Sequence, residues 1–361
     1  MTLRSTLHDG IVKILFFLFS VAACGNGVAD SRVNYKIVTA SERGTYIEIG
    51  RDLAKWAAAP ADIDLAVLPS KGSTENVSRL RYEPGVKLAL VQSDVYQGML
   101  DAARGGNTSA ARLIRPLRVV MPLYAEEIYF VTRADSPMKF IHELKGKRIN
   151  VGPLGSGTAL SATTLYNLMF GEPLPDGNAT YLSNEEALVK LTIERSIDAV
   201  VIVAGQPAKL FVDMKPEARQ FIKFLRLDEK AVESARATKI YLPAAIRSAS
   251  YPTWIKEDIP TLTVKAFLVT YDFGTKEARH NLARFSKALC ANFGNLQTQG
   301  HPKWKQVRME LPPLGPGWSY YPPTTKILRN CSAQPEVLPP ADSRAEGKAC
   351  DQQQKVLGLC R

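Results

Sequence analysis

Short apolar runs of strand type repeatedly give way, through a polar or glycine-bearing turn, to runs with helical spacing, and this alternation constrains the fold more than any other feature of the chain. "VNYKIVTA" (33–40) precedes "GTYIEIGRDLAKWAA" (44–58), "IDLAVLPS" (63–70) precedes "STENVSRLRY" (73–82), and "VKLALVQS" (86–93) precedes "DVYQGMLDAAR" (94–104). Strands alternating with helices predict an α/β fold, a parallel sheet with helices on both faces.

Two β-rich runs follow, "LRVVMPLY" (117–124) and "EIYFVTRAD" (127–135), with only "AE" between them. A second set of units then begins. It comprises "KRINVGPLGSGT" (147–158), a helix through "LYNLMFG" (165–171), the strand "ATYLS" (179–183), the helix "NEEALVKLTIE" (184–194), the strand "DAVVIVA" (198–204) and a helix from "GQPAKLF" (205–211). After "FIKFLRL" come a further helix, "KIYLPAAI" (239–246), the strand "TLTVKAFLVTY" (261–271) and a long helix from Lys276 to about Asn292. This last part has no partner in the second unit. It is expected to return to the first sheet, so that the chain crosses twice between two lobes, residues 33–125 plus 240–298 and residues 126–239. Beyond them, 299–361 is Pro-rich ("LPPLGPGWSYYPP", "PEVLPPADSR") and is expected to be an irregular extension pinned by disulfides rather than by a core.

A length of 361 residues suits two domains of ordinary size. The start has the layout of a secretory signal peptide: sparse positive charge in "MTLRSTLHDGIVK", then a short apolar "ILFFLFSVAA". "VAAC" resembles a lipoprotein signal, with Cys24 as the lipidated residue, while cleavage after Ala29 is the competing reading of residues 1–29. Either places the mature protein in the periplasm or on the extracytoplasmic face of the membrane. Without Cys24 the cysteines form an even set, Cys290, Cys331, Cys350 and Cys360, read as two disulfides with three connectivities open. His8, His142, His280 and His301 are scattered and give no metal-ligand spacing, so no metal is expected. The formal charge of +11 comes from dispersed residues with no Lys/Arg block of five, which argues against nucleic acid and for a solvated basic surface.

"GPLGSGT" (152–158) tests the chemistry. A phosphate-binding P-loop needs lysine and a hydroxyl after its last glycine, but Thr158 and Ala159 stand there. A nucleophile elbow needs G-x-S-x-G, and Leu154 occupies the first glycine position. Binding remains. Free backbone N–H groups, the hydroxyls of Ser156 and Thr158, and the positive end of a helix suit a carboxylate. The plainer reading is that Ser156 or Thr158 only caps its helix. Similar polar helix starts stand at "SERGTY" (41–46), "KGSTEN" (71–76), "VQSD" (91–94) and "VAGQPAK" (203–209), at carboxyl ends of strands where open α/β sheets bind ligands.

With these segments in hand, the chain resembles the TAXI group of TRAP-transporter solute receptors. The resemblance is carried by "GTYIEIGRDLAK", "PSKGSTENVSRL", "LALVQSDV", "PLYAEEIYFVTRADS", "LKGKRINVGPLGSGT", "DAVVIVAGQPAK" and "VKAFLVTYDFG", across residues 33 to about 297. It implies a two-lobed, periplasmic-binding-protein type II-like fold with a double hinge crossing. It also implies an extracytoplasmic protein, a monomer without cofactor, that closes on a small organic anion (an amino acid such as glutamate, a dicarboxylate or a keto acid) and hands it to membrane permease subunits. The implied ligand contacts are Gly44, Thr45, Tyr46, Ser73, Thr74, Asn76, Gln92, Ser93, Tyr124, Ser156, Gly157, Thr158, Gly205 and Gln206.

The sequence departs from that family's glycine-rich first loop in "ASERG" (40–44), and Lys71 precedes the second turn. Arg43 or Lys71 is therefore expected to pair with a second carboxylate. Tyr46 and Tyr124 also read as boundary aromatics, and Asn76 as a turn brace. Glu75, Asp94, Glu126 and Glu127 are assigned structural or hinge roles. Two other functions compete: an enzyme using a buried carboxylate as base on the same scaffold, and a ligand-sensing subunit that docks on a membrane sensor.

Overall fold

The computed structural model describes residues 32–331. The expected export signal, Cys24, Cys350 and Cys360 lie outside that range.

The alternation in the sequence becomes β1 (Val33–Val38), α1 (Thr45–Leu53), β2 (Ile63–Leu68), α2 (Ser73–Tyr82), β3 (Val86–Gln92), α3 (Ser93–Arg104) and α4 (Thr108–Ile114). A long strand, β4 (Leu117–Arg133), then leads to β5 (Ile149–Asn150), α5 (Gly157–Phe170), β6 (Ala179–Thr180), α6 (Asn184–Thr192) and β7 (Ala199–Ala204). Shorter elements follow: α7 (Lys209–Val212), α8 (Pro216–Arg219), β8 (Ile222–Phe224), α9 (Val232–Ala237) and β9 (Leu242–Ile246). The return strand β10 (Ile259–Tyr271) precedes α10 (Lys276–Ala291), α11 (Phe293–Gln299) and α12 (Pro322–Cys331). Local chemistry sets several helix starts. Asn107, Ser156, Ser183 and Thr275 each accept the backbone N–H three residues on, the bond a helix lacks at its N-terminus.

The strand order is β2-β1-β3-β10-β4-β7-β5-β6, with β8 on β4 and β9 on β10. One half of the sheet is the parallel set β2-β1-β3, the other the parallel set β7-β5-β6. Between them β4 and β10 run antiparallel as a ribbon that belongs to both halves. At one end β10 pairs with β3 through Ala266–Val269; at the other β4 pairs with β7 through Glu127–Thr132. The ribbon's register shifts between Lys265 and Phe267 and again between Leu268 and Val269. Each half is packed on both faces. Ile37, Leu90 and Phe285 lie in one core of the first half and Val38, Val91 and Phe267 in the other; Val151, Leu165 and Val201 sit opposite Tyr129, Val200 and Phe211 in the second.

Three details differ from expectation. The two β-rich runs before residue 136 are one 17-residue strand, because the intervening Ala125 and Glu126 stay in the ladder opposite Lys265 and Val264. Residues 242–246 pair with Ile259–Thr263, the end of β10 that runs beside Ile128, and β10 meets β3 only from Ala266 onward. The Pro-rich stretch after Gly300 also carries core residues: Trp304, Val307, Tyr321 and Leu328 pack with the first half. Its prolines exclude ladder and helix interiors but not burial of the aromatic side chains between them. Asp52 of α1 holds this segment, accepting the His301 N–H and the Trp304 Nε1–H at 2.8 Å each, and a Cys290–Cys331 disulfide closes it onto α10.

Two parallel-stranded halves covered by helices and joined by two crossing strands make this a mixed α/β, periplasmic-binding-protein-like fold. Among the described residues no helix is long and apolar enough to cross a membrane.

Candidate functional site

The carboxyl ends of β1, β2, β3, β5 and β7 each deliver the chain to a turn, and these turns meet across the crossing. Thr45, the first residue of α1, donates its hydroxyl to the Gly205 carbonyl at 2.8 Å. The Glu75 N–H in α2 reaches the Gly155 carbonyl at 3.0 Å, and the Thr74 hydroxyl reaches the Ser156 carbonyl at 3.4 Å. At Gly157 a Cβ would fall 1.9 Å from Gln92 Oε1 and 2.8 Å from Ser73 Oγ, so only glycine admits this approach of α5 to α2 and β3. A Cβ at Gly205 would likewise meet Thr45, Tyr124 and Lys303 at 3.0–3.1 Å. The helix starts therefore converge, and the two halves of the sheet touch through them.

Most of the residues expected to bind are buried here, and several have their polar capacity spent within the protein. Asn76 donates to the Thr39 and Leu90 carbonyls at 2.6 and 2.7 Å and accepts from Ser70, bracing β1 against β3. Gln206 bonds through its backbone N–H to Glu127, through Nε2 to the Ala245 carbonyl, and through Oε1 to the Arg247 N–H. The Ser156 hydroxyl caps α5, Ser73 Oγ accepts the Gln92 N–H, and Ser93 Oγ accepts the Lys265 N–H. Tyr46 donates to Glu126 Oε2 at 2.6 Å. Gly44 is the N-cap residue of α1, and Thr158, partly buried, lies in the first turn of α5.

Of the six buried side-chain polar atoms without a partner among the described residues, two belong to this cluster: the Tyr124 hydroxyl, on a wholly buried side chain, and Gln92 Oε1. Both belong to residues the sequence singled out. The two expected charge partners lie outside the buried cluster. Arg43 is exposed and pairs with Glu185 and Asp213 at 3.8 and 3.9 Å, and Lys71 is exposed.

The charges that are buried come from elsewhere. Glu126 and Glu127 lie on β4 at the crossing, 3% and 5% exposed. Burial pushes the Glu126 carboxyl up to about 8, against the Tyr46 hydrogen bond and the Lys303 charge that hold it down. Lys303, from the segment after α11, places its ammonium 2.7 Å from both the Ala125 carbonyl and Glu127 Oε1. Burial pushes Glu127 up and Lys303 down, and their mutual attraction opposes both. Asp94 accepts from the Ser161 and Tyr241 hydroxyls, joining α3 to α5 and to the approach to β9.

Lys265 on β10 stands opposite Ala125 in the ladder. Its ammonium has no hydrogen-bond or carboxylate partner among the described residues. Burial, and then repulsion by Lys303, pull its pKa down. Neither lysine was singled out from the sequence. A lone charge inside the apolar run "TLTVKAFLVTY" was a readable signal for Lys265, whereas Lys303 sits in a segment with no periodicity to read. Among the described residues no cluster of three or more His, Cys, Asp or Glu side chains could hold a metal.

Comparisons with known proteins bear on most of the chain. The periplasmic binding protein BugD aligns at 13% identity and a TM-score of 0.46, over 76% of this chain and 84% of that one. A conserved Candida albicans gene product, described as having the generic periplasmic binding protein fold, aligns at 12% identity and a TM-score of 0.46, over 91% and 96%. A protein of Bordetella bronchiseptica aligns at 12% and 0.46, over 76% of each chain. The sequence match is more direct: residues 37–311, about three quarters of the chain, match the NMT1-like family, and the protein belongs to that family.

Proposed function

We propose that the protein is an extracytoplasmic solute-binding subunit of a TRAP-type secondary transport system, which closes on a small organic anion and passes it to membrane permease subunits. The observation that carries this reading is the meeting of polar helix starts from both halves of the sheet around two buried polar atoms, Tyr124 OH and Gln92 Oε1, that lack partners among the described residues. Buried polar groups are ordinarily satisfied, so unsatisfied ones where helix starts from both halves meet are candidates for bonds that a ligand supplies. Closure would be a bending of the β4–β10 ribbon, a hinge motion around the guest. The lobes in this reading are residues 33–125 plus 240–298 and residues 126–239, with the ribbon as their shared hinge.

Native mass spectrometry of protein purified from its own host identifies the bound molecule. Small-angle scattering before and after its removal reads the closure. A released organic anion with an accompanying expansion supports the reading; a protein that carries no small molecule and keeps one shape in every condition contradicts it.

Glu126 favours a second reading. A buried carboxyl held near neutrality is what an acid–base enzyme on this scaffold would use. Titration calorimetry separates the two. Stoichiometric binding with the acid recovered unchanged belongs to a receptor, and continuing heat with product belongs to an enzyme.

A further inference from the structure

The ladder places Glu126 and Gln92 on one face of the sheet. Glu126 stands opposite Val264 and Gln92 opposite Ala266, while Lys265, between these two on β10, points to the other face. The Tyr46 hydroxyl reaches Glu126 Oε2 at 2.6 Å, and the start of the 14-residue α5 comes so close to Gln92 that a Cβ at Gly157 would lie 1.9 Å from Oε1. Tyr124, two residues before Glu126 on β4, leaves its wholly buried hydroxyl without a partner among the described residues, as Gln92 leaves Oε1.

An anion arriving here meets donors but no cation with a bond to spare. Lys303 is the cation whose charge bears on Glu126. An ammonium has three N–H bonds, and those of Lys303 go to the Ala125 carbonyl, Glu127 Oε1 and Gln306 Oε1. Glu126 makes no ion pair among the described residues, and its one side-chain hydrogen bond there, from Tyr46, uses Oε2. Oε1 stays open. A carboxylate 3% exposed and served by one hydroxyl is unfavourable as an anion, whereas a carboxyl that carries its proton on Oε1 is tolerated and becomes a donor. Burial pushes the group up to about 8, in keeping with that form.

Resting on the solute-binding reading, we propose that the solute's carboxylate is bound without a cation, between the start of α5, the Tyr124 hydroxyl and a protonated Glu126, so that solute and proton occupy the site together. The proton comes from water, sits on Glu126 Oε1 and is shared with a carboxylate oxygen; no other bond forms or breaks. Gln92 Oε1 only accepts, so it meets a hydroxyl or amine of the solute rather than its carboxylate. The other titratable neighbours of Glu126 do not compete for the proton. Burial holds the Tyr46 and Tyr124 phenols well above their ordinary range. Glu127 is paired with Lys303, Asp94 on α3 accepts from Ser161 and Tyr241, and Lys265 lies on the other face.

The experiment is titration calorimetry of the full chain with lactate, L-glutamate, succinate and 2-oxoglutarate, each in two buffers of different ionisation enthalpy so that protons taken up on binding are counted. For an acid that binds, uptake is expected near zero at pH 6 and above about half a proton at pH 8.5, with affinity about fourfold lower at the higher pH. Glu126→Gln supplies an amide N–H in place of the proton and keeps an acceptor for Tyr46. It should bind within about threefold of wild type at pH 6, take up no proton at either pH, and lose no affinity at pH 8.5. A side chain that only braced α1 would shift affinity equally at both. Tyr124→Phe removes an unpartnered hydroxyl, and should weaken binding about fivefold with the uptake retained. Binding by the wild-type chain without proton uptake at pH 8.5, an observation that needs no variant to fold, overturns this assignment and leaves a solute receptor standing. Uptake that persists in Glu126→Gln, or unaltered affinity in Tyr124→Phe, does the same. Failure of the wild-type chain to bind any acid in the set overturns the anion-receptor reading and this assignment with it.

Discussion

Lys303 and Glu127 form an ion pair at 2.7 Å in which the lysine side chain is wholly buried and the glutamate 6% exposed, at the point where β4 passes from one half of the sheet to the other. The same carboxylate accepts the Gln206 N–H at 3.0 Å. A segment beyond the last long helix thus reaches in to neutralise a charge on the crossing strand.

Removing one partner of such a pair leaves an uncompensated buried charge. Lys303→Met should destabilise the protein by about 3–5 kcal/mol in urea unfolding. Adding Glu127→Gln to that variant should recover part of the loss. A double variant no more stable than Lys303→Met alone contradicts the account.

Glu126 makes stability depend on pH with a defined sign. Its carboxyl is raised from 4.5 to about 8 in the fold, so between those values the native state holds the proton more tightly than the unfolded chain. Stability from this group is fully present below about 4.5, falls as pH rises, and is lost above about 8. Glu126→Gln keeps an acceptor for Tyr46 and removes the titration. The difference in urea midpoint between wild type and variant should grow in the variant's favour from pH 5 to 8, and parallel profiles would refute it.

Gly157→Ala places a methyl group against Gln92 and Ser73 in a closed contact. Overpacking of this kind costs about 1–3 kcal/mol. The Gln92 side chain must turn away, so solute affinity should fall together with stability, by calorimetry and denaturation. A variant with wild-type affinity would show that Gln92 does not reach the guest.

The Cys290–Cys331 bond closes a chain segment with a sequence separation of 41. On the chain-entropy account, replacing both residues by serine costs about 4 kcal/mol. Equal unfolding midpoints for the double serine variant and the oxidised wild type would contradict it.

The first half of the fold is the part most legible in the sequence, because β1, β2 and β3 each carry local apolar periodicity and each is followed at once by its helix. The helix from Lys276 was legible for the same reason and ends at Ala291. The meeting of turns at the candidate site was legible where glycine and hydroxyl residues mark a strand-to-helix turn, as at Ser73 and Gly157. It was not legible where the deciding groups come from long range. Glu126 owes its raised pKa to burial, opposed by the hydrogen bond from Tyr46, 80 positions away, and buried Glu127 is paired with Lys303, 176 positions away. No local pattern encodes that. The Pro-rich segment was misjudged because proline frequency speaks to backbone regularity, while Trp304 and Tyr321 are held by packing.

The interrupted register between Lys265 and Phe267 has a mechanical meaning. A ribbon resists bending through its evenly spaced rungs, and an irregularity in one strand concentrates twist and compliance at that place. Lys265 stands on the lip of this soft spot and its N–H holds Ser93, so the start of α3 is tied to the pivot.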